Sequence, residues 1–289
     1  MRLHGKYTPY LFLALPVTIF LFSVLIPLGS TFYYSLFEWN GITEMEYVGL
    51  ANFGRLFRDH VLRDVLINTL KYALTATVFQ LGLGMLLAIM LYEIRKGGTL
   101  IRVLLFTPTV ISSVATSQVF RQLLRVNPDG VVNSLLSIIG LESLKMVWLA
   151  DSAITIYVVA IVDSLRFSGL NMVIFFAALA SIDNEVLEAA AIDGANKIKT
   201  LLLVRLPMIR GIIINCLILL TIGTFRAFDG PMILTGGGPG HSSQVISTYM
   251  FQTAFTSLNF GYGSAIGLLI AVICILVFKI LGRMTRKLD

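Results

Sequence analysis

The chain has 289 residues, 56% of them hydrophobic and 13% charged, whereas soluble domains carry about 25% charged residues. One water-soluble core could not bury that much apolar surface, so lipid has to be the solvent for much of it. The formal net charge of +6 does not mark a nucleic-acid partner, because the basic residues fall between apolar runs and form no patch with interleaved aromatics.

Arg2 and Lys6 precede an apolar stretch from Tyr7 to Leu28 that runs on through Phe32, Tyr33 and Tyr34 with no convincing cleavage site. A secretory h-region is roughly 7 to 15 residues, so this one reads as an uncleaved first helix. Stretches of about 20 mainly apolar residues, enough to cross roughly 30 Å of hydrocarbon, lie near 9–36, 66–92, 102–122, 153–180, 206–226 and 261–282. The expected fold class is an all-α membrane protein with six transmembrane helices, forming one domain over 1–289. Gly82, Gly84, and Pro108 with Thr107, Thr109, Ser112 and Ser113 suit helices that pack on one another. Cys216 and Cys274, both within apolar stretches, read as packing residues.

Basic residues near span ends are retained in the cytoplasm. With the N-terminus inside, the inner segments hold Arg2, Lys6, Arg95, Lys96, Arg102, Lys197, Lys199, Arg205, Arg210, Lys279, Arg283, Arg286 and Lys287. The outer ones hold Arg55, Arg58, Arg63, Arg121, Arg125, Lys145 and Arg226. Both termini are therefore expected in the cytoplasm. Lys71, Asp163 and Arg166 fall inside spans and are expected to face the bundle interior or a water-filled cavity. Asp163 and Arg166, at i,i+3 spacing, could form a structural ion pair.

Residues 181–207, between the fourth and fifth spans, are unlike a plain connector. Asp183 or Asn184 can cap a helix, Glu185 and Glu188 suit its positive end, and Ala189 to Ala191 are strong helix formers. Leu187, Ala190, Ala191, Gly194, Ile198, Leu201 and Leu202 recur at helical spacing, so one face is apolar and needs a cover. Asp193 and Lys197 form a possible i,i+4 pair. Gly194 implies a bend or a close approach, and Pro207 fits the first turn of the fifth span.

Glu188-Ala189-Ala190, Gly194 and Val204-Arg205-Leu206-Pro207 together resemble the EAA loop of bacterial ABC-importer permeases, with Val204 where the family usually has Ile. The resemblance implies a coupling helix that docks in a cleft of a cytoplasmic ATPase subunit, through Glu188, Ala189, Ala190, Asp193, Gly194, Leu206 and Pro207. An ordinary interfacial amphipathic helix is the alternative. Four further segments resemble the maltose and glycerol-phosphate branch of carbohydrate importers. They are Val48 to Phe53 with Asn68-Thr69, Arg102 to Thr109, Asp129 to Leu136, and Phe228 to Gly240; Phe120 stands where many relatives have Trp. Taken alone, Gly236 to Gly240 would be only a flexible turn.

The resemblance implies a bacterial or archaeal plasma or inner membrane, a second similar permease subunit, two ATPase subunits that bind ATP-Mg, and an extracytoplasmic sugar-binding protein. Arg166, Asn171, Thr224 and Asp229 would line a polar route for sugar, and Phe167 and Phe225 either stack on sugar rings or pack. No catalytic residue, cofactor or metal site of the chain's own is expected. His4, His60 and His241 are scattered, and no G-x-x-x-x-G-K-[ST] phosphate loop is present. The competing reading is an ion-gradient-driven secondary transporter using Asp163 and Lys71, which calls for interrupted helices in matching halves and leaves 181–207 unexplained.

Overall fold

The computed structural model describes residues 8–94 and 97–286; the inner-side charges expected at Arg2, Lys6, Arg95, Lys96 and Lys287 lie outside the described residues. The chain is mostly helical and forms two compact units, one of residues 1–60 with 250–271, the other of 61–249 with 272–289.

In the first unit, α1 (Thr8–Phe20) passes through a π-helical turn at Leu21–Leu25 into α2 (Ile26–Ser35), and Phe12–Ser35 is long and apolar enough to cross a membrane. A two-residue ribbon follows, β1 (Phe37–Glu38) antiparallel to β2 (Glu46–Tyr47), a small departure from an all-α chain. The buried Asn52, in α3 (Ala51–Leu56), donates from Nδ2 to Ser35 O at 3.0 Å and Phe37 O at 2.9 Å. It thereby satisfies carbonyls that the end of α2 and the ribbon leave open. Tyr262, fully buried, donates its hydroxyl to Asp59 at 2.6 Å beneath the Arg55 guanidinium, 4.1 Å from the ring centre.

The second unit begins with α4 (His60–Tyr92), 33 residues long and therefore about 50 Å at 1.5 Å per residue, more than the hydrocarbon is thick. Its helical period turns Val65, Thr69, Tyr72, Ala73 and Ala76 inward. Lys71 consequently lies on the exposed side with Leu70 and Leu74, outside the packed interior of this chain. Because α4 exceeds the span it makes, an outward lysine at its twelfth residue need not sit at mid-depth.

The stretch expected as one span at 102–122 is two helices, α5 (Gly98–Val110) and α6 (Ser113–Leu123), bent by 98°. Pro108 removes one backbone donor, and Ile111 and Ser112 are extended where the helix would continue. In α7 (Val131–Ile138), Asn133 donates to Met146 O at 3.2 Å and accepts from Trp148 Nε1 at 2.9 Å, and nearby Lys145 pairs with Asp129 at 2.9 Å.

Helix α8 (Thr155–Ala180) runs through the middle of this unit and packs on α5, α6, α12 and α13. A side chain at Gly169 would begin 2.2 Å from the carbonyl oxygen of Leu105, so only glycine permits the α5–α8 approach. Then come α9 (Asn184–Ile192), α10 (Lys197–Thr200), a π-helical turn at Leu201–Arg205, α11 (Leu206–Met208) and α12 (Arg210–Phe225). The chain bends by 64° between Met208 and Arg210, so α12 begins at Arg210 and Pro207 belongs to the short helix before the bend. Ile209 is buried among Ala88, Leu91, Phe175 and Leu179, while Pro207 cannot donate to the turn before it.

α13 (Asp229–Thr235), α14 (Ile246–Phe251) and α15 (Phe260–Arg286) complete the chain. The glycine-rich stretch after α13 is pinned and not a free turn. Asn68 donates to His241 O at 2.9 Å, Thr69 Oγ1 accepts from Ile246 N at 2.9 Å, and the Thr235 and Ser243 hydroxyls meet at 2.8 Å. Phe120 packs against the cluster around Tyr72, Val159 and Val245. Four helices are long and apolar enough to cross a membrane, or six spans if each bent pair counts as one, among the described residues.

Gly169→Leu should destabilise the protein by about 1–3 kcal/mol through forced separation of α5 and α8. Gly82→Ala, with nothing within 4 Å of the added carbon, should cost nothing. Thermal unfolding of the two purified variants beside wild type measures both.

Candidate functional site

Two features of the second unit carry chemistry. The first is a cavity of about 550 Å³ whose walls come from α4, α8, α12 and the chain from Arg226 to Gly230. On α8, positions 163, 166, 167, 170, 171 and 174 all face it, the spacing of a single helix face. The four residues expected to share a polar route, Arg166, Asn171, Thr224 and Asp229, all line this one cavity. Phe167 joins them, whereas Phe225 is buried in packing.

The ion pair considered between Asp163 and Arg166 is replaced by other partners. Asp163 Oδ2 accepts from the Tyr72 hydroxyl at 2.5 Å, and its carboxylate packs against Gly230, where an added carbon would lie 2.1 Å away. The Arg166 guanidinium sits 4.6 Å from the centre of the Phe167 ring, with Nε buried and unbonded. Asp229 Oδ2 accepts from Ser113 Oγ at 2.9 Å, and Thr109 Oγ1 donates to Arg166 O at 3.0 Å. The bent α5–α6 pair thus supplies one hydroxyl to the backbone at Arg166 and another to the Asp229 side chain. Such a wall offers donors, acceptors and an aromatic face, the equipment for a polyhydroxylated solute.

The second feature is the segment 181–207. Asp183 caps α9, accepting from Glu185 N at 3.1 Å, and Asn196 caps α10, accepting from Lys199 N at 2.9 Å. Between them Gly194 has φ +77° with open space about it within the chain, so the bend foreseen for this glycine is present. The helix has already ended at Ile192, which separates Asp193 from Lys197. Lys197 Nζ instead meets Glu93 Oε2 at 2.9 Å, and Arg205 Nη1 lies 3.6 Å from Glu93 Oε1. Glu93 was missed by sequence reasoning; its only signal was an acid standing beside Arg95 and Lys96 at the end of a span.

The apolar face expected along this segment is divided. Leu187 and Leu206 pack inward on the cluster around Leu91 and Phe175, while Ile192 is 86% and Ile198 68% exposed. Glu188, Ala189, Asp193, Gly194 and Pro207 are exposed as well, and Ala190 is half-buried.

Comparison with known proteins adds three relatives and a family. The family described as binding-protein-dependent transport system inner membrane component matches residues 80–289. The probable ABC transporter permease protein YurN of Bacillus subtilis (strain 168) is 35% identical over 273 residues, 93% of this chain and 92% of that protein. The multiple sugar-binding transport system permease protein MsmF of Streptococcus mutans serotype c is 31% identical over 288 residues, 99% of this chain and 97% of that one. A bacterial alginate ABC transporter, solved in complex with its alginate pentasaccharide-bound periplasmic protein, shares the fold with a TM-score of 0.81, covering 98% of this chain and 94% of that chain at 23% identity.

The hydrogen bond from Lys197, followed by the charges of Lys197 and Arg205, holds the Glu93 carboxyl below its ordinary range. A depressed acid stabilises the fold above its unfolded pKa, about 4.3 for glutamate, and that contribution is lost as pH falls through the lower folded value. Glu93→Gln should therefore cost under about 1 kcal/mol at neutral pH, given how exposed the pair is. The difference in thermal midpoint between variant and wild type should vanish in acid below the glutamate range.

Proposed function

The chain belongs to the family of binding-protein-dependent transport system inner membrane components, a multi-pass membrane protein, and from that membership we propose that it is the permease subunit of an ATP-driven sugar importer. Sugar as cargo is supported by the relative named for multiple sugar binding and by the alginate transporter that shares the fold. The proposed assembly pairs this chain with a second, similar permease subunit, two ATPase subunits that bind ATP-Mg, and an extracytoplasmic sugar-binding protein. Its home is the plasma or inner membrane of a bacterium or archaeon.

The whole chain, 1–289, acts in this reading as one transmembrane domain of six spans, each bent pair counting once, with both termini in the cytoplasm. One end of α4 supports that topology: Glu93 meets Lys197 and Arg205, so the inner segments after spans two and four adjoin. Near the opposite end Asn68 meets the loop at His241, as two outer segments should.

The observation that carries the coupling role is the exposure of Ile192 and Ile198 on a segment whose helices are capped and anchored. Exposed apolar residues flanked by Glu188 and Asp193 suit a protein cleft better than water. Glu188 makes polar contact with the ATPase subunit, Ala189 and Ala190 let it pack closely, Asp193 and Gly194 form the bend, and Leu206 with Pro207 leads the segment into the fifth span. Closure of the ATPase subunits moves this segment, and alternating access opens the cavity at Arg166, Asn171, Thr224 and Asp229 to either side in turn. An ion-driven carrier would also have two broken helices, but here one break lies directly between the exposed segment and its span, where a coupling device needs its joint.

The test is ATP hydrolysis by the reconstituted complex with and without its loaded binding protein. Wild type should be stimulated, and Glu188→Lys should lose the stimulation while the complex stays assembled. Equal stimulation in both would remove the segment from the coupling role.

A further inference from the structure

We propose that Tyr92 and Glu93 form a seat for Arg205 through which movement of the 181–207 segment reaches the helices that wall the cavity. Four side chains stand in series. The Arg205 guanidinium lies 4.4 Å from the centre of the Tyr92 ring, Tyr92 is 6.5 Å from Phe176 between centroids, and the Arg102 guanidinium is 4.2 Å from the Phe176 centre. The series joins the π-helical turn Leu201–Arg205 to α4, α8 and α5 in succession.

Two cations meet Glu93, and they are unequal. Lys197 is nearer, at 2.9 Å against 3.6 Å, yet its side chain is 88% exposed and that of Arg205 only 18%. Solvent and salt screen an ammonium so open, so Arg205 carries the connection. Its Nε is buried without a hydrogen-bond partner, which leaves the aromatic face and the carboxylate as what holds the guanidinium. A flat, delocalised cation suits both at once, and a lysine ammonium does not.

The geometry gives this seat a purpose. Along the chain, the segment runs on from the end of α8 and reaches α12 through the 64° bend at Ile209, so it does not share the axis of α12. The stack bypasses that bend. It fastens the segment to α4, which carries Tyr72, and leads on to α8, which carries Asp163, Arg166 and Asn171 at the cavity. Tyr92 and Glu93 are therefore positioning residues for the transport cycle; they touch neither cargo nor nucleotide. This role rests on the coupling function proposed above.

Adjacency alone does not establish coupling, so the test reads the response of the cavity itself. In the full reconstituted complex, with Cys216 and Cys274 replaced by alanine and Thr224→Cys introduced, a small methanethiosulfonate reagent reports access to the cavity before and after trapping with ATP-Mg and orthovanadate. Trapping should change the labelling rate. Tyr92→Leu and Arg205→Lys should each shrink that change by roughly three- to tenfold, with basal ATP hydrolysis unaltered. Tyr92→Phe should keep it, and the Tyr92→Leu, Arg205→Lys double variant should lose no more than either single one. A full response in Tyr92→Leu, or losses that multiply in the double variant, overturns the seat. If Glu188→Lys abolishes the response while Tyr92→Leu keeps it, only the seat fails; if Glu188→Lys also keeps it, the coupling role fails and the seat with it.

Discussion

At Gly169 the backbone of α8 meets that of α5, with the Leu105 carbonyl oxygen standing where a side chain would begin. Lipid gives packed helices no hydrophobic reason to prefer one another, so close van der Waals contact between small residues has to hold them. With α5 held so near, Thr109 reaches the Arg166 carbonyl and Ser113 reaches Asp229. The 98° bend between α5 and α6 then falls between the residues that bear these two hydroxyls.

A second break governs the other end of the unit. Ile209 is the plug that fixes it: the side chain enters the cluster of Ala88, Leu91 and Phe175, and the helical stretch before it is free to point along a different axis from α12. The segment from Asp183 to Met208 can therefore present Ile192 and Ile198 outward without exposing Leu187 and Leu206. One bend thus brings Ser113 to Asp229 on the proposed solute path, and the other builds the proposed contact with the ATPase. α4 is common to both, bearing Tyr72 at the cavity and ending just before Glu93 at the segment.

Much of this was legible in the residues, for reasons that differ from place to place. Length and hydropathy located the apolar stretches because membrane thickness is a hard constraint. Cap chemistry located the start of α9, since Asp183 acts on its own neighbours. The four polar residues around the cavity could be grouped because charges and amides in lipid must face inward or find partners. What was not legible depends on distant geometry. The breaks at Ile111 and Ile209 were hidden because Pro108 and Pro207 are compatible with a mild kink as well as a sharp one. Lys71 stands off the packed face of this chain because the helical period that buries Thr69, Tyr72 and Ala73 turns it outward. Asp193 and Lys197 looked paired by spacing, but Gly194 ends the helix between them and Lys197 turns to Glu93, a partner 104 residues away in the chain.

The central claim is that the exposed face at Ile192 seats in an ATPase subunit. A photo-crosslinking amino acid placed at Ile192 in the assembled complex tests it most directly, because that side chain is 86% exposed in the chain alone and has no packing role to disturb. The account predicts a crosslink to the ATPase subunit, with none from the same probe at Leu135 on α7. Crosslinks from Ile192 to lipid alone, with the complex intact, would contradict it and make the segment an interfacial helix.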